Sequence, residues 1–444
     1  MPKTMKVLTA VVALGLTAAC SNFDRLLTVQ TPSRLAEASY LVAGNAALIS
    51  ASAVSDYECA LGGYIVASAL GVGELVDATQ TAARWNYDRR NVEAVDALYS
   101  TSGCEGIGVY TPISTARYTN DQAVGKLEGW SDTEVPNRQR LIAINSAMAG
   151  FSVLLLGEGF CEGVISLGPS LTPAQLFDSA EVRFTRAIAA ATTAGDAAVL
   201  NLAYVGRARA RINKGAKAGA AEDAARVPVG FVYNATADAT IGRRNNRIFQ
   251  QVNQSNNTSV APAYRTLNDP RVTVTDINRT AADQVNRLWN QNKYASLTAT
   301  YPIASGIEAQ LILAEARGGA EGVSILNALR ARTGVALPAL SAAETASFDS
   351  AVAEERRREL FLQGNRWFDA KRFNLAQVPA AGVLYPKGGS YGLQRCWPLP
   401  DVEKRANPNF QGYPAVRGGR PDAAHPGRLR DDRREAPKLV DCIN

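Results

Sequence analysis

The stretch AEERRRELFLQGNRWFDAKRF, Ala353 to Phe373, crowds arginines, carboxylates and four aromatic rings into one continuous segment. Leu360, Phe361, Trp367 and Phe368 recur at helical spacing while charges fill the other positions, so the pattern predicts an amphipathic helix with one side on a core. Glu354 with Arg358, and Asp369 with Arg366 or Arg372, stand three or four residues apart. Such pairs neutralise one another along a helix, which argues against phosphate binding. Gly364 interrupts the pattern at a propensity cost of about 1 kcal/mol, which predicts that another backbone comes close there.

Upstream, helices come in pairs. In LTPAQLFDSAEVRFTRAIAAATTAG, from Leu171, Thr172 is placed as an N-cap, Pro173 at the first helical position and Gln175 for a capping box, with Gly195 as the stop. Leu176, Ala180, Phe184, Ala187 and Ala191 form one face. Asp196 can cap the next helix, which Gly215 closes, so the two should pack antiparallel. Residues 305–334 repeat the arrangement around Gly318 and Gly319. The pairs resemble tetratricopeptide-type hairpins without their strict consensus. The expected fold class is therefore all-α, a superhelix of helix pairs with long irregular loops and short strands. The apolar run LIAINSAMAGFSVLLLG from Leu141 contains Asn145, Ser146 and Ser152 and reads as a buried helix of a soluble fold.

The N-terminus sets the compartment. MPKTMK is a positive n-region, VLTAVVALGL a short apolar h-region, and TAAC places small residues before Cys20. Residues 1–19 read as a bacterial lipoprotein signal, with Cys20 carrying lipid. Several acyl chains at about 0.8 kcal/mol per buried CH₂ would hold residues 20–444, read as one domain, on a membrane. Hydrophobic content of 46% and charged content of 20% suit a folded body. The formal charge of +6 is mild, and much of it sits in a Pro- and Gly-rich C-terminal tail, residues 402–444. That tail is expected to be extended and solvated, not a nucleic-acid patch. An exported chain permits disulfides. Cys396 with Cys442 would tie the tail to the body, and Cys59 with Cys104 is a second pairing, leaving Cys161 reduced; spacing alone does not decide connectivity.

From Arg226 to Pro302 the chain is rich in Asn, Thr and β-branched residues, an irregular insertion of loops and short strands where ligand contacts are expected. Catalysis lacks parts. The single histidine is His425, in the tail, so Ser-His-Asp, Cys-His and His-based metal sites are excluded, and no cofactor or metal is expected. GVGELV at Gly71 holds only two glycines of a dinucleotide fingerprint. Carboxylate chemistry survives the inventory, but Glu158 with Glu162 and Asp56 with Glu58 are no more than ordinary surface charge would supply. Binding remains. RWNYDRRN gathers Trp85, Asn86, Tyr87 and Arg89; Trp130 and Trp289 lie in similarly polar surroundings. Aromatic faces stack on sugars or pack on peptide side chains, and amide and guanidinium groups supply directional hydrogen bonds.

The segments LNDPRV (from Leu267), NQNKY (from Asn290), EAQLILAEA (from Glu308), ILNALRARTG (from Ile325), EERRRELFLQGNRWFDAKRF and CWPLPDVEKRANPN (from Cys396) follow the leader and helix pairs in a fixed order. In that order the chain resembles the SusD/RagB family of outer-membrane nutrient-binding lipoproteins, most strongly over Asn268–Asn409. Gln363 stands where the family usually has Glu, and Ala370 where Leu is common. The resemblance implies that the Arg-rich segment is structural, with Arg356, Arg366 and Asp369 in internal ion pairs. It further implies a lipid-anchored, non-enzymatic protein facing the cell exterior. Such a protein would bind oligosaccharide or peptide nutrients and act as a lid for a SusC-like TonB-dependent β-barrel. Two other readings compete: a helical-repeat scaffold lipoprotein for envelope assembly, with protein partners only, and a secreted carboxylate hydrolase.

Overall fold

The computed structural model describes residues 42–409; Cys20, the leader, Cys442 and residues 410–444 of the tail lie outside them. The described chain is mainly helical with short strands. In order it comprises α1 (Ala46–Val72), β1 (Leu75–Asp77), α2 (Ala82–Arg89), α3 (Tyr110–Glu128), α4 (Arg138–Gly159), α5 (Pro173–Ala194), α6 (Ala197–Asn213) and α7 (Lys217–Ala224). It continues with β2 (Val232–Ala235), β3 (Thr258–Val260), β4 (Val274–Thr280), β5 (Arg287–Gln291), β6 (Tyr301–Ser305), α8 (Gly306–Arg317), α9 (Gly319–Ala331), α10 (Phe348–Glu359), α11 (Arg366–Arg372) and α12 (Asp401–Ala406). The strands pair antiparallel as three two-stranded sheets, β1 with β3, β2 with β6 and β4 with β5. The expected insertion thus holds four of the six strands and the start of β6, and also a helical turn with a π segment at 247–254. The expected extended tail begins instead with the helix α12.

Local chemistry accounts for the helix pairs. Thr172 and Gln175 form the capping box of α5, Gly195 ends it at φ +66°, and the Asp196 carboxylate accepts from the N–H groups of Ala198 and Val199 to start α6. α5 packs on α4 through two glycine notches. A Cβ on Gly150 would lie 2.8 Å from the Phe184 ring and one on Gly157 2.6 Å from the Phe177 ring, so both rings enter spaces that a side chain would fill. Among the described residues α4 is the one helix long and apolar enough to cross a membrane, but 94% of its apolar window is buried in the protein. It is the central core helix, with α1 beside it.

The Arg-rich segment forms two helices, not one. Leu362 at φ +54° and Gly364 at φ +87° turn the chain between α10 and α11. What approaches Gly364 is α1, by side chain and not by backbone: a Cβ there would lie 3.2 Å from the Tyr64 ring. The turn's carbonyls are served from the NQNKY motif, since Lys293 Nζ donates to Phe361 O at 2.7 Å and the Tyr294 hydroxyl to Leu362 O at 3.1 Å.

Two buried ionic networks then lock α10 and α11 in place. Asp369 accepts from Arg356 and Arg372, each at 2.8 Å, and Arg372 also pairs with Glu315 of α8. Beside them Arg209 of α6 forks onto Glu158 of α4 at 2.6 and 2.7 Å and reaches Glu308 of α8 at 3.4 Å, while Asn365 donates to Glu308 at 3.0 Å. In the second network Arg271, from LNDPRV, meets Asp269, Glu355 and Glu359; Arg330 and Arg332 of RARTG complete it at 2.6 Å to Glu355 and Glu359. Arg366 donates to Ala353 O and lies 3.9 Å from Glu354, not beside Asp369.

The cysteine pairing differs from the expectation for Cys396. Cys59 is bonded to Cys104 with Cα atoms 5.7 Å apart, and Cys161 to Cys396 at 5.1 Å. Cys396 follows Arg395 into a backbone bridge in which Trp397 N donates to Gly159 O and Cys161 N to Trp397 O. That bridge brings Cys161 to Cys396, so neither the reduced Cys161 nor a Cys396–Cys442 bond is found.

Burial works to raise the Asp369 carboxyl, but Arg356 and Arg372 outweigh it and hold it at about 2. Asp369→Asn leaves two arginines without their anion and is expected to cost about 3–5 kcal/mol in urea unfolding at pH 7. Because the folded pKa is depressed, this contribution is present above the ordinary pKa of 3.8 and fades as pH falls through about 2. The gap between wild type and variant should therefore close in acid; a gap constant with pH would refute the assignment.

Candidate functional site

β1 leads straight from the core helix α1 to an end of the molecule where several loops converge. The Asp77 carboxylate accepts from Thr79 N and Oγ1 at 2.9 and 2.8 Å, and Arg84 Nε approaches it at 3.3 Å, which fixes the approach to α2. On α2 the partly exposed Trp85 donates from Nε1 to Thr79 O at 3.0 Å. Its ring centroid is 6.3 Å from that of Tyr385, and Lys387 Nζ sits 5.3 Å from the centre of the indole and 5.6 Å from that of the phenol.

Lys387 is itself tightly held. Its ammonium donates to Asp77 O at 2.6 Å, Asp77 Oδ1 at 2.9 Å and Thr79 O at 3.2 Å, and lies 3.4 Å from Asp283. Burial works to raise the Asp283 carboxyl, but the Asn286 and Val285 donors and Lys387 hold it below the usual range. Asp88 differs: its Oδ2 accepts from Asp77 N at 2.8 Å and from the Tyr385 hydroxyl at 3.2 Å, and burial pushes it up to about 7. Burial and the Asp88 charge together keep Tyr385 protonated.

The other residues singled out from sequence fall into three groups. Asn86 and Arg89 are beside Trp85, but their polar groups serve the scaffold: Asn86 Nδ2 donates to Asp96 and Arg89 Nη2 to Asn86 Oδ1, both at 2.7 Å. Tyr87 is 2% exposed and cannot meet a ligand. Its hydroxyl donates to Ile107 O at 3.0 Å and its ring packs edge-on against Trp397, which also contacts Tyr64, Phe160 and Trp367. Trp289, partly buried on β5 opposite Asp276, belongs to the same end as Trp85. Ser259 of β3 joins β5 to the β1 pairing by accepting from Trp289 N at 2.8 Å and donating to Arg287 O at 2.9 Å. The Arg265 guanidinium lies 5.6 Å from its ring centre. Trp130 packs on Ile49, Ala53 and Ala123 near the opposite end of α1; that helix has 27 residues and spans about 40 Å. Trp130 is not part of this site.

Sequence reasoning passed over Tyr385 and Lys387, in YPKGGSYG, and over Asp77 and Asp283. The available signal was an aromatic pair flanking a Lys-Gly-Gly turn, the same residue types as around Trp85. The carboxylates weighed for hydrolysis have other partners: Glu158 is bonded to Arg209, Asp56 is paired with Arg243 at 2.7 Å, and Glu58 accepts from Thr236 N and Oγ1 at 2.8 Å. Among the described residues no cluster of three or more His, Cys, Asp or Glu side chains is arranged to hold a metal ion.

Residues 308–425 match the model of the SusD family. They begin on α8 and contain α10, α11 and the Tyr385–Tyr391 loop of the site. The fold is likewise that of solved SusD superfamily proteins. Over residues 308–425 the chain is similar to the SusD family, and beyond that segment the likeness is one of fold. A SusD superfamily protein from Bacteroides thetaiotaomicron VPI-5482 is 16% identical, with TM-score 0.61, over 83% of this chain and 99% of its own. A SusD-like carbohydrate binding protein from Bacteroides vulgatus ATCC 8482 is 13% identical, with TM-score 0.64, over 83% and 97%. A SusD superfamily protein from Parabacteroides distasonis ATCC 8503 is 13% identical, with TM-score 0.60, over 86% of this chain and 100% of its own. No curated protein matches the sequence. Against these SusD folds the identity is low enough that the shared property is the architecture, while the contacts around Trp85 are read from this chain alone.

Because the folded pKa of Asp88 is raised, its contribution to stability is full below the ordinary pKa of 3.8 and is lost as pH rises through about 7. Asp88→Asn should remove that loss. Urea midpoints of wild type are expected to fall relative to those of the variant between pH 4 and pH 8; parallel pH profiles would show that Asp88 is ionised throughout.

Proposed function

We propose that this SusD-like protein captures an oligosaccharide at the Trp85 end and passes it to a TonB-dependent β-barrel, held at the outer membrane by lipid on Cys20. The observation that carries the reading is Trp85 itself, a partly exposed indole fixed in orientation by its bond to Thr79 and flanked by Tyr385 and Lys387. A sugar ring stacks on an aromatic face through its C–H groups and needs donors at its edge for the hydroxyls. Lys387 approaches one side of the indole, so stacking uses what that side leaves open, with Trp289 offering a second ring at the same end.

Kinship supports the sugar: a relative with the same fold is a SusD-like carbohydrate binding protein. The lipoprotein leader and the absence of a second histidine from the whole sequence support export and binding without turnover. A lid role follows if the ligand bridges both partners, because binding then favours the closed complex over the open one. The exposed side chains of Leu384 and Leu393, on the loop that bears Lys387, suit contact with the barrel rim.

The reading is tested by glycan-array screening followed by calorimetry on the best ligand. Trp85→Ala should weaken binding by about tenfold or more, equivalent to about 1.4 kcal/mol, while Tyr87→Phe should leave affinity unchanged. Equal affinity in wild type and Trp85→Ala would exclude this site, and binding of peptides alone would replace the sugar. Purification of the tagged lipoprotein from its native membrane should bring down a large β-barrel; recovery of assembly factors alone would favour a scaffold role.

A further inference from the structure

A cavity of about 320 Å³ lies behind the Trp85 end, between the C-terminal turn of α1 at Gly71–Gly73, the helices α10 and α11, and the segment 375–378. Four arginines, Arg90, Arg357, Arg366 and Arg395, line it, with one acidic residue, Glu354. Glu354 is already engaged by Arg357 at 3.2 Å and by Arg358 at 2.8 Å. Neither Arg90 nor Arg395 is ion-paired among the described residues. Arg90, only 2% exposed, donates from Nε to Gly392 O at 3.1 Å and from Nη2 to Pro379 O at 2.6 Å. Arg395 donates to Ala370 O at 2.8 Å and Leu375 O at 2.7 Å.

Backbone carbonyls satisfy part of each guanidinium fork without cancelling its charge, and a guanidinium carries five N–H donors. Two arginines without an ion pair of their own among the described residues therefore line one cavity. Burial makes the charge on Arg90 costly, Tyr391 and Asp88 offset part of that cost, and Arg395 adds a smaller like-charge repulsion. Buried charges are ordinarily paired, because an unpaired one costs several kcal/mol. The remaining walls include the rings of Tyr264 and Trp367, and the volume is that of a small organic ligand.

We infer that this cavity is a second binding site, selective for a small ligand bearing an oxyanion, either a carboxylate or a sulfate, received between Arg90 and Arg395. An anionic group would accept the spare N–H donors in charge-assisted bonds, while its carrier lies against the Tyr264 and Trp367 rings. Entry is past Ala376 and Val378, both exposed at the rim. The site does not depend on the Trp85 reading, since Trp85 does not line it.

The test is calorimetric titration of the full lipid-free chain with sodium glucuronate, sodium sulfate and glucose at matched ionic strength. Glucuronate or sulfate should bind and glucose should not; sulfate alone would identify an inorganic oxyanion as the ligand, glucuronate alone a carboxylated one. Binding should weaken by about tenfold or more in Arg395→Gln. Ala376→Trp, which blocks the rim and leaves every arginine in place, should weaken it likewise and decides the matter if the arginine variant fails to fold. Trp85→Ala should leave it unchanged. Failure of both anions to bind wild type, glucose binding as tightly as glucuronate, or full binding in Ala376→Trp would overturn the inference.

Discussion

Asp369 sits between Arg356 and Arg372 in the interior of the protein, and the rest of the architecture has to accommodate that triad. A carboxylate taken out of water is tolerated only where cations and donors surround it, so α10 and α11 must meet at the angle that brings both guanidinium groups to one carboxylate. The turn at Leu362 and Gly364 supplies that angle. Arg372 then reaches Glu315, and Asn365, at the start of α11, reaches Glu308, which fixes α8; Arg209 extends the chain of charge to Glu158 in the central helix α4. Five helices, α4, α6, α8, α10 and α11, are thus held in register by these groups. Apolar packing alone would tolerate small slips between them, whereas charge pairs at 2.6–2.8 Å do not.

The same constraint explains which features could be read from the chain and which could not. Caps and stops act over three or four residues, so Thr172, Gln175, Gly195 and Asp196 predicted α5 and α6 correctly. The family resemblance implied internal ion pairs for Arg356, Arg366 and Asp369 but neither the Arg356–Asp369 pairing nor its consequence: helical periodicity continues through Gly364 because Trp367 and Phe368 resume the same apolar face, and the positive φ at Leu362 and Gly364 breaks the helix. Cys59–Cys104 was among the pairings named from sequence, whereas Cys161–Cys396 depends on a backbone bridge between Gly159–Cys161 and Trp397, a meeting over a sequence separation of 235 residues that no local rule contains. Composition could not separate Trp85 from Tyr87 either. Both stand in one polar stretch, and the difference is that α2 turns Tyr87 toward Trp397 in the core.

The order of motifs that marks the family also acquires a physical meaning. LNDPRV, RARTG and EERRREL lie apart in sequence, yet Asp269, Arg271, Arg330, Arg332, Glu355 and Glu359 form one cluster of alternating charge. Each motif supplies part of the counter-charge of the others, so none can be exchanged alone without leaving a buried ion unpaired. NQNKY contributes differently, by serving the carbonyls of the turn that the ionic clusters impose. What reads in sequence as a string of conspicuous residues is, in space, one fastening between the insertion and the last helices.

That fastening sets the properties of the Trp85 end. Its parts come from β1, α2, the Asp283 loop and the Tyr385–Tyr391 loop, none of which has a core of its own. Lys387 holds them together through Asp77, Thr79 and Asp283, and β1 is anchored directly to the buried helix α1. The indole of Trp85 is therefore presented with little freedom left to lose. Ordering interface side chains ordinarily costs about 0.5–1.5 kcal/mol each, so a ring already fixed by its Nε1 bond and its lysine neighbour would offer the proposed sugar ligand a surface at little ordering cost. Such preorganisation fits the proposed capture role, in which affinity must come from few contacts. Under the proposed lid role, any large movement falls to the body as a whole, because the ionic networks beneath this end leave little within the chain that can bend.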